Sequence, residues 1–509
     1  MAIIKQSFIW RICLFIAALY RGSLLSRVWD SVAEAWTRMW RSSFIGPAFI
    51  GERRLVSDWG ESLLCIALTW LINLPAMLLY KLRGLTPRFW EGSVTLRFAS
   101  WLGENAVVLI SWSVLAILCI PYKRWDNTYS LILMLMVTAF IFLYGMKGRS
   151  RVLDVSGAGF YASAFACLVI LSFISSDSMS LSFRWLFFHL SCMLAVLSIV
   201  SRVRSREDLM RLMLFVSLGI IAASISAVLQ RRAGVEVNKS WVDLDVSGDT
   251  PGRITSFYDN PNAFGMLLVM FLPAAASVFF AGRGWRRAVG ALSFVLGAAA
   301  LALTYSRGPW LGFAFSVVLM VALLRPKLLP LFLLACLLIV PFLPGTVYSR
   351  AKTIFNFSDS STLSRLPIWK ASVDLIKLRP FGVGLGADTV FDAIYANNLY
   401  INKATFIHAH NIYLQISAEA GVFAAFVFFC TVMGAIKAGI RTIWKKAKGD
   451  SLRTMTGGCV SGLAGVLLCG LIDYPWSYPR IMFLFWVAFA LLASSVKLCK
   501  AEEAGKALI

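Results

Sequence analysis

Charge is scarce in this sequence. Only 15% of its 509 residues are Asp, Glu, Lys or Arg, while 59% are hydrophobic and the mean hydropathy is +0.74. Soluble domains carry about 25% charged residues, so a water-soluble enzyme of several domains is excluded. Acids are scarcer still, 26 against 49 Lys and Arg, which leaves a formal charge of +23. Histidine is rarest, with three in the whole chain. The ten cysteines form no CxxC pair and lie in or beside apolar runs. They read as small buried hydrophobes, with neither a disulfide framework nor a zinc cluster expected. The alternating segments of about ten residues that mark a membrane barrel are also missing. No cleavable signal is evident, because Arg11 and Arg21 interrupt the first apolar stretch.

What the chain does contain is a series of apolar runs of about 20 residues, the length that crosses a bilayer as a helix. They fall near 103–122, 128–146, 157–175, 183–200, 208–229, 262–280, 286–304, 307–324, 328–344, 411–436, 454–473 and 478–497. The expected fold is all-α: a polytopic membrane bundle of about 12 transmembrane helices with a large, partly helical external loop. Residues 1–100 form a basic, Trp-rich N-terminal region, and 1–60 suit amphipathic segments on the membrane surface. Residues 62–80 are apolar enough to cross, but Asn73 and Pro75 break the middle, so a re-entrant or surface-lying path is expected. Residues 101–344 carry the first part of the bundle and 345–410 the external loop. Residues 411–509 carry the last part, with a cytoplasmic C-terminus.

Basic clusters set the orientation. Lys147/Arg149/Arg151, Arg202/Arg204/Arg206, Arg283/Arg286/Arg287, Arg325/Lys327 and the group from Lys437 to Arg453 recur at every second connection. The positive-inside rule places them in the cytoplasm, and much of the excess charge then needs no nucleic-acid partner. Residues 230–261, 305–308, 345–410 and 474–480 fall outside, with Lys123 and Arg124 as the one dissenting loop. Basic residues in those outward segments need another explanation.

His408 and His410 stand together at the external end of a span, in ATFIHAHNIYLQISAEAG. A neutral imidazole, with an unperturbed pKa of about 6.5, suits a general base. An interfacial pair bonding a helix start is the plain alternative, and the residues alone weigh the two evenly. HxH without an acid or Cys cluster in its loop argues against a metal site. His189, mid-span, reads as helix packing. Asn411, Gln415 and Glu419 recur every four residues and form a polar stripe on one helix face, directed at a protein interior or wet cavity. Arg307, in YSRGPW, either snorkels to lipid phosphates or holds an anionic substrate group, with Gly308 and Pro309 expected to make a tight turn. Arg365 lies in STLSRLPIW, with Trp369 four residues on. A lone loop arginine is usually solvated. Two outward arginines, a histidine pair and aromatic surfaces together suit a diphosphate-sugar substrate. Asp473, in DYPWSYPR, either orients a base or acceptor or pairs with Arg480. PFGVGLG, with Gly382, Gly384 and Gly386, lacks the strand of a dinucleotide fingerprint and reads as a turn.

Four stretches resemble a known group: FYDNPNAFG (257–265), YSRGPWLG (305–312), SRLPIWKASVDLIKLRPFGVGLG (364–386) and HAHNIYLQISAEAG (408–421). Together they resemble the O-antigen ligase and polymerase superfamily of integral membrane glycosyltransferases. The resemblance implies an enzyme of the bacterial cytoplasmic (inner) membrane, working at its external face in cell-surface polysaccharide assembly. Its donor would be a glycan on a polyprenyl diphosphate, most readily undecaprenyl diphosphate, and its acceptor a hydroxyl on glycan, lipid or protein. Transfer would invert the anomeric carbon without metal or cofactor. His410 would be the base, and Arg307 and Arg365 would hold the diphosphate. His408, Asn411, Gln415, Glu419, Tyr305, Trp369, Asn262 and Asp473 would support them or line the substrate. Membrane lipid is a further expected partner and nucleic acid is not. The alternative is a transporter or flippase of lipid-linked glycans, which predicts paired broken helices and internal symmetry; no repeat is visible. A scaffold would leave His410 and Arg307 without a role.

Overall fold

The computed structural model describes residues 15–16, 18–20, 22–42, 57–148, 151–234, 252–342, 344–352, 365–400 and 407–505. Among them every regular element is helical. Nine described helices are long and apolar enough to cross a membrane: Thr128–Gly145, Met179–Arg202, Arg206–Ala233, Pro261–Ala281, Trp285–Leu303, Arg307–Leu324, Val422–Lys445, Ser451–Cys469 and Pro479–Glu503. Three bent pairs raise the number to 12 if each is one span. The expected polytopic bundle is therefore found.

Two expected spans are broken. The run at 103–122 is mainly Ala106–Cys119, which meets the preceding helix Val94–Glu104 at a 75° bend. The run at 411–436 divides at Gly421: Ile412–Ala420 stops there and the crossing helix starts at Val422. Gly421 has φ +90, and a Cβ on it would lie 2.7 Å from the Phe381 backbone. The Val422 N–H donates to Pro380 O instead of continuing the first helix. The apolar run at 62–80 bends by 57° between Leu63–Ile72 and Leu74–Leu85. Buried Asn73 makes that corner. It donates to Thr69 O and Leu153 O, both at 2.7 Å, and accepts from the Val152 and Leu153 N–H groups at 2.8 and 3.0 Å. A side-chain amide satisfied on both sides explains why the break tolerates an apolar neighbourhood.

Pro261–Ala281, Ser451–Cys469 and Pro479–Glu503 form the centre, with 89%, 83% and 83% of their apolar windows buried. Trp285–Leu303 and Arg307–Leu324 bury only 28% and present apolar side chains outward. Helices in lipid gain no hydrophobic drive from meeting, so close packing of small residues must hold them. Ser451–Cys469 carries TGGCVSGLAG, and a Cβ on Gly462 would sit 2.0 Å from Met270 O. Gly462→Ala must therefore force two backbones apart, at a cost of about 1–3 kcal/mol or more. Folded yield and melting temperature in detergent are expected to drop. An unchanged melt would mean that this helix pair separates easily.

Lysine and arginine clusters gather at one end of the bundle. Arg206 pairs with Glu502 at 2.6 Å and Asp450 at 3.0 Å, and Lys446 reaches Glu502 at 2.5 Å. Arg286 pairs with Glu207 at 2.5 Å. The amphipathic helix Leu24–Ser42 docks at the same end. Its Trp29 Nε1 donates to Pro326 O at 3.1 Å, and Asp30 meets Lys327 at 3.3 Å. Residues 1–14, 17, 21 and 43–56 of the expected amphipathic region lie outside the described residues. Of the cysteines, Cys65, Cys192, Cys459, Cys469 and Cys499 are buried as expected, but Cys167 and Cys336 are exposed on apolar helices. Their surroundings there are outward-facing hydrophobic side chains.

Candidate functional site

At the other end, segments 252–262, 304–307, 407–412 and 470–480 converge. The Ile412 N–H donates to Gly470 O at 2.8 Å and Asn411 Nδ2 donates to Leu471 O at 3.0 Å. Asn411 Oδ1 also accepts from the Tyr413 and Leu414 N–H groups, capping Ile412–Ala420. These bonds seat the histidine segment on residues 470–474. His410 takes φ +45, a conformation uncommon outside glycine. Strain of this kind concentrates at functional sites.

That backbone places His410 Nδ1 3.5 Å from Asp473 Oδ1, with 30% of the histidine side chain exposed against 19% of the aspartate. Asp473 also accepts from the Tyr474 N–H at 2.8 Å and from Asn262 Nδ2 at 3.4 Å. Burial pushes the Asp473 carboxyl up, but His410, His408 and the Tyr474 N–H outweigh it and leave it at about 2. A carboxylate facing Nδ1 favours the tautomer with its proton there, freeing Nε2 as an acceptor. His408 is buried, its Nδ1 accepts from the His410 N–H at 3.2 Å, and the two rings are 4.1 Å apart. Burial, then the charges of His410 and Arg365, pull the His408 imidazole down to about 3 against the opposing charge of Asp473. It stays neutral and supports the loop.

Below the pair, Gln415 Oε1 accepts from the Ala409 N–H at 2.8 Å, and Gln415 Nε2 donates to Glu419 Oε1 at 2.9 Å. The Tyr474 hydroxyl donates to the same oxygen at 2.9 Å. Burial raises the Glu419 carboxyl to about 7, with Gln415, the Gly386 N–H and Tyr474 limiting the rise. The polar stripe is thus a bonded column tying the histidine helix to Tyr474. PFGVGLG is a turn, as expected. Gly382, Gly384 and Gly386 have φ +88, +118 and +98. The Val383 and Gly384 N–H groups donate to Ala418 O and Glu419 O at 3.0 Å. A Cβ on Gly384 would stand 2.0 Å from Ser176 Oγ.

The cationic side comes from separate segments. Arg307 begins Arg307–Leu324 and is half-buried. The sharp turn before it is Thr304–Ser306, with Tyr305 at φ +50, so Gly308 and Pro309 lie inside the first helical turn rather than making the turn themselves. Tyr305 is buried, its hydroxyl 3.4 Å from Thr346 Oγ1. Arg253, which the sequence did not single out, is buried. It donates Nε to Thr304 O at 2.9 Å, and Nη2 to Asn262 Oδ1 at 2.7 Å and Ser306 Oγ at 2.6 Å. Arg350, also not anticipated, is buried and donates Nε to Tyr305 O at 3.4 Å. Burial, then the charges of Arg350 and Arg307, lower Arg253 to about 9 while Asp473 opposes them; it remains a cation at neutral pH. Arg307 thus lies in the field of Arg253, and Arg365, at the start of Arg365–Leu378, in that of His408. Trp369 packs into a small core with Ile368, Leu375 and Val390.

Two alternatives close. Arg480 does not take Asp473: its guanidinium donates to Ile117 O at 2.6 Å and Phe257 O at 3.2 Å, and lies over the rings of Trp125 and Tyr258. His189 packs against Phe165 and Trp476, as expected for a mid-helix residue. The objection that HxH lacks an acid holds only along the chain. The ligand atoms of His408, His410 and Asp473 lie within 4.8 Å of one another and could hold a metal ion.

Fold and site together define a multi-pass helical membrane protein with a cationic, histidine-bearing cluster at one end of its bundle. Residues 292–429 match a family model described as O-antigen ligase, which supports the resemblance carried by the four sequence stretches. Arg307, Arg365, His408, His410 and Glu419 fall inside the match, whereas Arg253, Asn262 and Asp473 join them only through the fold. A search of curated proteins finds no match.

Proposed function

We propose that the protein is an O-antigen ligase-type glycosyltransferase that moves a glycan from a polyprenyl diphosphate, such as undecaprenyl diphosphate, onto an acceptor hydroxyl. The observation that carries this is a histidine paired with a carboxylate, His410 with Asp473, amid a field of arginines. His410 Nε2 takes the acceptor proton as the new bond forms to the anomeric carbon. The bond from that carbon to the diphosphate oxygen breaks, its electron pair leaving with the lipid diphosphate, so the anomeric centre inverts. Arg253, Arg307, Arg350 and Arg365 offset the charge that gathers on the departing group. A lipid diphosphate is already activated, so no nucleotide is needed. The basic clusters at the opposite end support an outward-facing site in the bacterial cytoplasmic membrane. Glycan, lipid and protein hydroxyls would all be chemically competent acceptors.

Metal-free catalysis is the form the family resemblance implies, and the grouping of His408, His410 and Asp473 makes a metal-assisted form its rival. The test is purified protein with a lipid-diphosphate oligosaccharide and a panel of acceptors, with and without EDTA. Transfer with an inverted linkage, unchanged by chelator, is expected. No product with any acceptor sinks the glycosyltransferase reading. Loss with EDTA and recovery with a divalent ion would replace the free base by a metal on His408, His410 and Asp473.

A further inference from the structure

The basic end of the bundle, remote from the histidines, holds a half-open cavity of about 440 Å³. Arg151, Arg204 and Lys497 line it, from three separate parts of the chain, against one acid, Asp154. That carboxylate is committed to its own turn, accepting from the Ser156 N–H at 2.9 Å and Ser156 Oγ at 2.7 Å. Lys497 donates to Val200 O, a neutral carbonyl. Arg204 Nε is buried without a hydrogen-bond partner among the described residues. No described carboxylate lies within ion-pair distance of any of the three. The contrast with their neighbours is sharp: Arg206, Arg286 and Lys446 at the same end are all paired with acids.

Arg204 and Lys497 are partly buried and Arg151 is exposed, and Asp154 and Asp208 act on Lys497 only from beyond ion-pair distance. An anion in the cavity would bring a counter-charge into direct contact with all three. Two guanidinium forks and an ammonium group match the oxygens of a phosphate. The rest of the wall is mixed, with Thr69, Ser156 and Ser201 on its polar part and an apolar strip beside them. Ile66, Val152 and Leu153 line it, and the helix bearing Ile66 begins with Leu63 and Leu64, 85% and 56% exposed. A cationic floor beside an outward apolar wall fits an amphiphile better than a soluble anion. Basic pockets between membrane helices take phospholipid headgroups by this logic.

We propose that this cavity binds the phosphate of an anionic phospholipid, with Arg151, Arg204 and Lys497 as its ligands and the acyl chains along Leu63–Ile72. Bound there, the lipid clamps the bent N-terminal pair to the bundle. The site is independent of the transfer chemistry.

The experiment uses the full-length protein, delipidated in detergent and titrated with phosphatidylglycerol, phosphatidylcholine or inorganic phosphate. Melting temperature and native mass spectrometry are the readouts. Phosphatidylglycerol is expected to raise the melting temperature and persist as a one-lipid adduct, and phosphatidylcholine and inorganic phosphate to do neither. Its affinity should fall at least tenfold in an R151Q/R204Q/K497Q variant and severalfold in Arg151→Gln. Arg283→Gln, an exposed cation at the same end outside the cavity, should leave it unchanged. Should the triple variant not fold, the single Arg151→Gln variant decides. Equal stabilisation by phosphatidylcholine, saturation by inorganic phosphate alone, unchanged affinity in Arg151→Gln, or an equal loss in Arg283→Gln would each overturn the proposal.

Discussion

Replacing His410 with alanine is expected to slow glycan transfer by about 10²–10⁴-fold, the usual contribution of a positioned general base. A sugar hydroxyl is a poor nucleophile until something takes its proton. Among the described residues at this end of the bundle, His410 is the imidazole that combines exposure with a carboxylate partner. His408 does not replace it, because its Nδ1 is occupied and its ring is buried. The substitution leaves the framework in place. Asn411 still caps its helix, Ile412 still bonds Gly470, and alanine meets the φ of +45 no more easily than histidine does. Membrane abundance and the elution profile in detergent are therefore expected to match wild type. The measurement is single-turnover transfer in proteoliposomes at equal protein density. A rate within tenfold of wild type would remove His410 from the role of base.

Much of the site could be read from the chain because its residue types are rare or out of place. Two of the three histidines in one tripeptide, and arginines where the positive-inside rule expects none, both survive into the structure as parts of one cluster. Arg253 and Arg350 meet the same criterion as Arg307 and Arg365, since both sit in segments the charge rule puts outside. Nothing local sets them apart, since GRITSF and YSRAK resemble ordinary polar loop sequence. The pairing of Asp473 with His410 was one of two readings, and only the fold removes Arg480 from contention by burying it between Trp125 and Tyr258. Gly421 interrupts an apolar run without altering its hydropathy; the break depends on Phe381, far along the chain. Nor does hydropathy separate a central helix from a peripheral one. Pro261–Ala281 and Arg307–Leu324 are comparably apolar, yet one buries 89% of its window and the other 28%. What puts Ser451–Cys469 inside is its run of small residues, which lets neighbouring backbones come close, as Gly462 does to Met270 O.

Arg307→Lys is the second substitution expected to have a large effect, and it separates two jobs a cation can do. In one, Arg307 is an anchor for lipid phosphates, and any positive charge at the start of Arg307–Leu324 would serve. In the other, it stabilises the diphosphate as charge develops on it, where a planar fork offers paired donors that an ammonium group cannot reproduce. Its surroundings favour the second. Arg307 lies close enough to buried Arg253 to depress its proton affinity, and Arg350 does the same, so the fold holds like charges together rather than letting them spread. Such crowding is unfavourable in the empty site and is relieved when an anion enters. Arg253 is fixed by Thr304, Asn262 and Ser306, and Ser306 also precedes the helix that Arg307 begins, so the two guanidinium groups share one rigid turn. With lysine in place, total charge is kept but the directed donors are lost. Removing one such donor typically costs about 10²–10³ in rate. The loss should appear in kcat and kcat/KM for the lipid-diphosphate donor, while the KM for the acceptor stays near wild type. Competition with polyprenyl diphosphate lacking a glycan gives the binding part separately. Near-normal turnover with near-normal inhibition by that lipid would assign Arg307 to the membrane surface and leave the diphosphate to Arg253, Arg350 and Arg365.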